Sequence, residues 1–417
     1  MRRTLMAAAV GGVLVGLAGN AVAQSKSAKT AQVVKPPVAQ AWIDVATFSG
    51  MMGGMPGGDV MGGLSSLFGG KKDGGNRFGM TQAGSSGRWL DVTLATRRNP
   101  SLTEGTQTVP AGSKLAPSLA LLATPPEKPR PVPETDDEVS EPEPMERPKG
   151  KIYFYWGCSE TVRNGQPKVL DMATASPNDF AKFFQARRAT QRGAHQAPGR
   201  PVWPNTRDTR KVPEGASLVG EHSFSGEGVP EGFRIAIAAQ QDFMPQIDLR
   251  QHDAGTATQL EWAVLPTARA YFLSAMGARG EQEIVFWSSS EVPETGFGLL
   301  DYQTNPAVDK WLTEKVLLAP STQKCAIPKE VFGDKGAMLR MIAYGSEASF
   351  AYPPRPSDPK IAWEPDWSAR IRVKSVANTM LGMPGMGNAM RGEDPAQKQP
   401  KQEAPGALDL LKGILGR

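Results

Sequence analysis

Eight methionines gather in two glycine-rich stretches, and thioether sulfur is a soft ligand suited to Cu(I) and Ag(I). Met51, Met52, Met55 and Met61 belong to "MMGGMPGGDVMGG" (51–63). Met380, Met383, Met386 and Met390 accompany "LGMPGMGNAM" (381–390). The glycines would let either loop wrap around an ion. Neither stretch holds a His or Cys, however, and closing a flexible loop loses conformational entropy. No cofactor is therefore the first expectation, and Cu(I) at these methionines is the alternative.

Each stretch is followed by a short apolar motif bounded by glycine and basic residues. "GGLSSLFGGKK" (62–72) carries Leu64, Leu67 and Phe68, and "GALDLLKGILGR" (406–417) carries Leu408, Leu411, Ile414 and Leu415. The last four share one helical face, with Lys412 and Arg417 at its rim. Unbranched methionine makes adaptable contact surfaces. Both segments therefore read as flexible tethers with a docking patch for an envelope protein or a membrane surface. The competing expectation is that the tail helix packs back onto the protein's own sheets.

Other chemistry is sparse. Cys158 and Cys325 are the only cysteines. In an oxidising compartment they could form a disulfide tying two domains together, and two separately buried thiols are the alternative. His195, His222 and His252 form no metal-binding spacing, and a turn explains "HDAG" (252–255) more simply than zinc does. "STQK" (321–324) and "SDPK" (357–360) match a Ser-x-x-Lys pattern that is frequent by chance, and no Lys-Thr-Gly accompanies them. The basic, turn-rich run from Arg187 to Lys211 offers Arg187, Arg188, Arg192 and Arg200 to an anion, and Trp203 to a sugar ring. No residue is assigned a catalytic role.

The chain of 417 residues is long enough for two domains. With 45 Gly and 36 Pro it suits short strands, turns and loops better than a helical bundle. A net charge of +5 gives no reason to expect nucleic acid. "MRRTLMAAAVGGVLVGLAGNAVAQ" reads as a secretory signal peptide over 1–23, with Arg2 and Arg3, an apolar stretch and a small-residue cleavage site. The paired arginines also suit twin-arginine export, but the very short charged region favours the general secretory route. The mature protein is expected in the periplasm or outside the cell.

Residues 24–40 read as a flexible lead-in, followed by an N-terminal β-rich domain over 41–220. "AWIDVATF" (41–48) and "RWLDVTLAT" (88–96) alternate like strands and share a Trp-Ile/Leu-Asp-Val core. Insertions are expected at 49–87 and at the proline-rich, acidic 125–150. "KIYFYWGC" (151–158) and "PKVLDMA" (167–173) resume the strand pattern. Ser176, Pro177 and Asp179 predict a helix start, with Phe180, Phe183 and Phe184 on one face. Over 228–376 strands are expected at "FRIAIAAQ", "TQLEWAVL", "AYFLSAMG", "EIVFWSSS", "KVLLAP" and "MLRMIAYG", with a short helix at "NPAVDKWLTEK" (305–315). The tail, 377–417, is expected to be flexible and to end in the amphipathic helix.

"LEWAVLPTARAYFL" resembles the second-to-third strand segment of fibronectin type III domains. Trp262 takes the place of the core tryptophan, Ala268 that of the small turn residue, and Tyr271 and Leu273 those of inward residues. "AMLRMIAYGSEA" is similar to the family's sixth strand, with Leu339, Met341 and Ala343 inward. Ala337 stands where the family usually has the tyrosine of its corner hydrogen bond, and the segment between the middle strands is longer than usual. The resemblance implies a binding or spacer module and says nothing specific about activity.

The fold expected is mainly β: two β-sandwich-like domains with flexible Gly/Met-rich and Pro/acid-rich insertions and a few short helices. The function expected is non-catalytic, an exported envelope binding or assembly protein docking its partner through the tethers. A periplasmic Cu(I)/Ag(I) binder is the second reading. A cell-wall or glycan hydrolase with unrecognised carboxylates is the third.

Overall fold

The two strands that share the Trp-Ile/Leu-Asp-Val core, β1 (Ala39–Gly50) and β2 (Gly87–Thr96), pair antiparallel with Asp44 opposite Asp91. The structure is a computed structural model that describes residues 32–50, 75–124, 150–280, 282–333 and 336–382. The expectations for the signal peptide, for Met51, Met52, Met55, Met61, Met383, Met386 and Met390, for both docking motifs and for 125–149 lie outside those residues.

The chain continues through β3 (Glu104–Thr108), β4 (Ser118–Leu122), β5 (Lys151–Trp156) and β6 (Lys168–Asp171). β7 (Val202–Trp203), β8 (Gly220–Gly226), β9 (Arg234–Ile237), β10 (Arg250–Asp253) and β11 (Ala257–Glu261) follow. The remainder are β12 (Ala270–Ala278), β13 (Glu283–Ser288), β14 (Lys324–Pro328), β15 (Ala337–Tyr344), β16 (Ala348–Tyr352) and β17 (Trp367–Leu381). Among the described residues the α-helices are short: α1 (Met80–Ala83), α2 (Pro177–Phe183) and α3 (Asn305–Thr313). The protein is mainly β, and no described helix is long and apolar enough to cross a membrane.

Fourteen strands form one sheet in the order β6-β5-β13-β12-β15-β17-β1-β2-β7-β4-β3-β8-β9, with β16 also paired to β17. At its centre β1 and β17 run parallel, from Ala39 beside Trp367 to Gly50 beside Asn378. A second sheet, β10-β11-β14, packs on one face of the first and gives a sandwich-like core, in which Leu260, Cys325 and Ile327 meet Tyr271, Leu273 and Leu339. The long sheet also curls. Phe233, just before β9, stacks on Trp367 of β17 at 4.8 Å, although six strands separate β9 from β17 in the sheet.

The opposite face of the sheet carries a smaller core. There Ala46, Phe48, Trp89, Phe272, Ile342 and Tyr344 meet Val308 and Trp311 of α3. The start of α2 is a reciprocal capping box, in which Ser176 accepts from the Asp179 N–H and Asp179 from the Ser176 N–H. Beyond it, Phe183 and Phe184 sit edge-on to Phe154 and Phe286 of the sheet.

Some expectations need revising. "KVLLAP" forms no strand; Leu318 alone bridges to Tyr271 through two backbone bonds. Part of the predicted lead-in is tied down, with Lys35 N–H donating to the Trp363 carbonyl and Trp363 N–H to that of Val33. β17 runs on to Leu381, inside the predicted tail. The sheet also passes across the boundary expected near 220, since β5 and β6 extend it beyond β13 and β1 lies against β17.

Candidate functional site

Because β1 and β17 are parallel and in register, they finish at the same end of the sheet. Gly50 has φ +91°, and a Cβ there would fall 1.8 Å from the Asn378 carbonyl oxygen, so only glycine fits this close approach. Met51 follows Gly50, and Met383 follows Gly382 just past β17. The last described residues before the two stretches, Gly50 and Gly382, thus lie toward the same end of the sheet.

The same end of the sheet presents a row of three methionines. Met276 on β12 is the direct partner of Met338 on β15, and Met338 is the direct partner of Met380 on β17. Direct partners point to the same face, here the face of the smaller core. Met276 is 36% exposed, and Met338 and Met380 are half-buried. The next residue in the row is Phe286 on β13, whose ring lies 5.3 Å from the ring of Phe297, itself 37% exposed. Met380 was anticipated as a soft ligand. Met276 and Met338 were missed, because only the strand register brings them to it.

A buried polar row crosses the middle of the same face. Arg372 on β17 grips Asp44 with both arms, Nε to Oδ1 at 2.8 Å and Nη2 to Oδ2 at 2.6 Å. Asp44 also accepts the Ala194 N–H, and Arg372 donates to the Gln191 carbonyl. Opposite Asp44, Asp91 accepts from the N–H of Gly79 and from the N–H and hydroxyl of Thr81 in α1. Burial pushes the Asp91 carboxyl up to about 7, against those donors and with help from the charge on Asp44. Further along, fully buried Lys374 bonds Asp301 at 2.9 Å, and burial lowers its pKa despite that partner. Arg372 and Lys374 both lie 4.2 Å from the centre of the Tyr302 ring, whose hydroxyl donates to the Val45 carbonyl. Sequence reasoning missed this network, although the shared Asp in otherwise apolar strands marked two of its members.

The predicted anion or glycan contacts sit in different settings, although Arg192 and Arg200 are near enough for the charge on Arg192 to lower the pKa of Arg200, beside the larger effect of burial. Arg187 is tied to Glu294 at 2.9 Å and to Glu314 at 3.1 Å. Arg188 and Arg192 are exposed. Arg200 lies 4.8 Å over the Trp42 ring and donates to His195 Nε2, whose pKa burial lowers. The reading of Trp203 as a sugar platform is corrected: it is fully buried, with its indole N–H bonded to Asp208, so no ring face is free.

Elsewhere, a cleft of about 260 Å³ lies between 34–40, β16 and the start of β17, with Phe350, Trp363 and Arg370 on its walls. Cys158, just after β5, is disulfide-bonded to Cys325 of β14, with a Cα–Cα distance of 4.9 Å. His222 is buried between Gln107 and the Leu218 carbonyl, and no group of His, Cys, Asp and Glu among the described residues could hold a metal. Compared with protein-family models and with curated proteins, the chain matches none.

Proposed function

We propose that the chain is an exported, non-catalytic envelope protein that holds a protein or membrane partner through the two segments that follow Gly50 and Gly382. The observation that carries this reading is the parallel pairing that ends with Gly50 beside Asn378. It supports a reading in which both docking motifs, Leu64/Leu67/Phe68 and Leu408/Leu411/Ile414/Leu415, act on one partner as a bivalent grip. Export is supported by the signal-like N-terminus and by the Cys158–Cys325 bond, which persists in oxidising compartments. A fibronectin type III-like character for 228–376 belongs to the same proposal. Its support is the burial of Trp262 edge-on to Tyr271 at 5.7 Å, with Leu273, Leu339, Met341 and Ala343 in the same core. The hydrolase reading draws less support, since the facing carboxylates Asp44 and Asp91 are 1% and 2% exposed and have their oxygens engaged.

The test is in-cell photocrosslinking with the probe at Phe68 in one variant and at Leu411 in another. A shared product of the same mass, identified by mass spectrometry, is expected. Separate products, or crosslinks only within the chain, would overturn the shared grip.

A further inference from the structure

We propose that Met276, Met338 and Met380 form a thioether site for Cu(I), and for its d10 analogue Ag(I) as a probe, at the partly exposed end of the sheet face that carries the smaller core. The three residues are consecutive direct partners across β12, β15 and β17. Adjacent strands lie about 4.8 Å apart, so the outer two methionines flank the middle one within reach of a single ion above it. Three rotatable bonds let each side chain swing its sulfur inward, and the partial exposure of all three leaves the ion an entry path.

The donor set decides the metal. Three neutral thioethers without carboxylate or imidazole suit a soft monovalent ion and give hard divalent cations no ligand. The neighbouring charge on this face is Arg340, two residues along β15 from Met338, and its Nη2 points to the Leu300 carbonyl. On the other side Phe286 and Phe297 supply an apolar wall that keeps the site partly dry. Rigid strands hold the row, so the ion does not have to order a loop, which was the objection to a site made only from the glycine-rich stretches.

This inference stands apart from the partner-docking proposal and is tested separately. Full-length mature protein is titrated with Cu(I) under ascorbate against a chromogenic chelator. Wild type is compared with Met276→Leu/Met338→Leu/Met380→Leu and with a second variant in which Met51, Met52, Met55, Met61, Met383, Met386 and Met390 become Leu. Leucine roughly conserves volume and leaves the fold in place. The expected result is one bound ion in wild type, lost in the row variant and retained in the second. Thioethers carry no proton at working pH, so the affinity should also stay flat from pH 5 to pH 8, unlike that of a His or Cys site. As a check on the unmutated chain, Ag(I) should shift the ε-methyl carbon signals of these three methionines. Undiminished binding in the row variant, absent binding in wild type, or Ag(I) shifts confined to other methionines would each overturn the site.

Discussion

Asp44 and Asp91 face each other directly across β1 and β2, on a side of the sheet where both are buried. Like charges in that arrangement destabilise a strand pair. The two carboxyls escape the conflict by different means. Asp44 receives the Arg372 guanidinium, whereas Asp91 receives neutral donors from Gly79 and Thr81 and is driven toward its protonated form by burial. The short helix α1 is therefore a lid for one carboxyl, and the loop at Gly193–Ala194 is a lid for the other.

A pH signature follows from Asp91. Its pKa rises on folding from the ordinary 3.8 to about 7, so between those values the folded chain keeps a proton that the unfolded chain releases. The stabilisation from this group is fully present below the lower value and is lost as pH climbs through the upper one, a change of about 4 kcal/mol at most. Asp91→Asn should remove that slope at a constant cost of one lost acceptor. Urea unfolding of both proteins at several pH values between 4 and 8 should show the variant gaining on wild type as pH rises. Parallel profiles would sink the assignment.

Arg372 and Asp44 should behave as a buried pair rather than a surface one, being 6% and 2% exposed at their side chains. Removing either alone, as Arg372→Leu or Asp44→Leu, strands a charge and is expected to cost about 3–5 kcal/mol. Removing both should cost clearly less than the sum of the two. A double-mutant cycle by denaturant unfolding measures the coupling. A coupling near zero would mean that the pair is not held as described.

Much of the fold could be read locally. The alternation at 41–48 and 88–96 announced β1 and β2, and Ser176-Pro177-Asp179 announced α2, because these signals lie within a few residues of what they specify. The burial of Arg372 and Lys374 could not be read. In "RIRVKS" the charged positions alternate as they would on a solvated face, and only the covering segments at 187–195 and 299–303 show that they are inside. The row Met276–Met338–Met380 was hidden for a related reason, since its members are separated by whole strands and meet only through register. Trp203 misled because a Pro/Arg-rich neighbourhood resembles a solvated loop, yet Val202 and Trp203 are strand β7 and fully in the core.

Gly193 tests how tightly the covering loop sits. A Cβ at this residue would fall 1.9 Å from Arg372 Nη2 and 2.5 Å from Asp44 Oδ2. Gly193→Ala should therefore lift the loop off the pair and destabilise by about 1–3 kcal/mol, the usual range for overpacking. The loss should shrink in an Arg372→Leu background, where the guanidinium is gone. An equal loss in both backgrounds, read from thermal unfolding, would place the strain elsewhere.

The Cys158–Cys325 bond closes a separation of 167 residues and fastens the segment after β5, near the edge of the large sheet, to β14 in the second sheet. Those two strands share no ladder, and the bond reinforces the backbone contact beside it, where the Ser159 N–H donates to the Ala326 carbonyl at 3.0 Å. Cross-linking a loop this long restricts the unfolded chain substantially, and its removal is expected to cost about 2–5 kcal/mol. Cys158→Ala/Cys325→Ala should melt several degrees lower than oxidised wild type, and wild type in strong reductant should fall to meet the variant. The native state should still form in both, because the residues of the first core remain in place around the site. If wild type melts at the same temperature with and without reductant while both thiols react with alkylating agent, the bond is not a stabilising tie between the sheets.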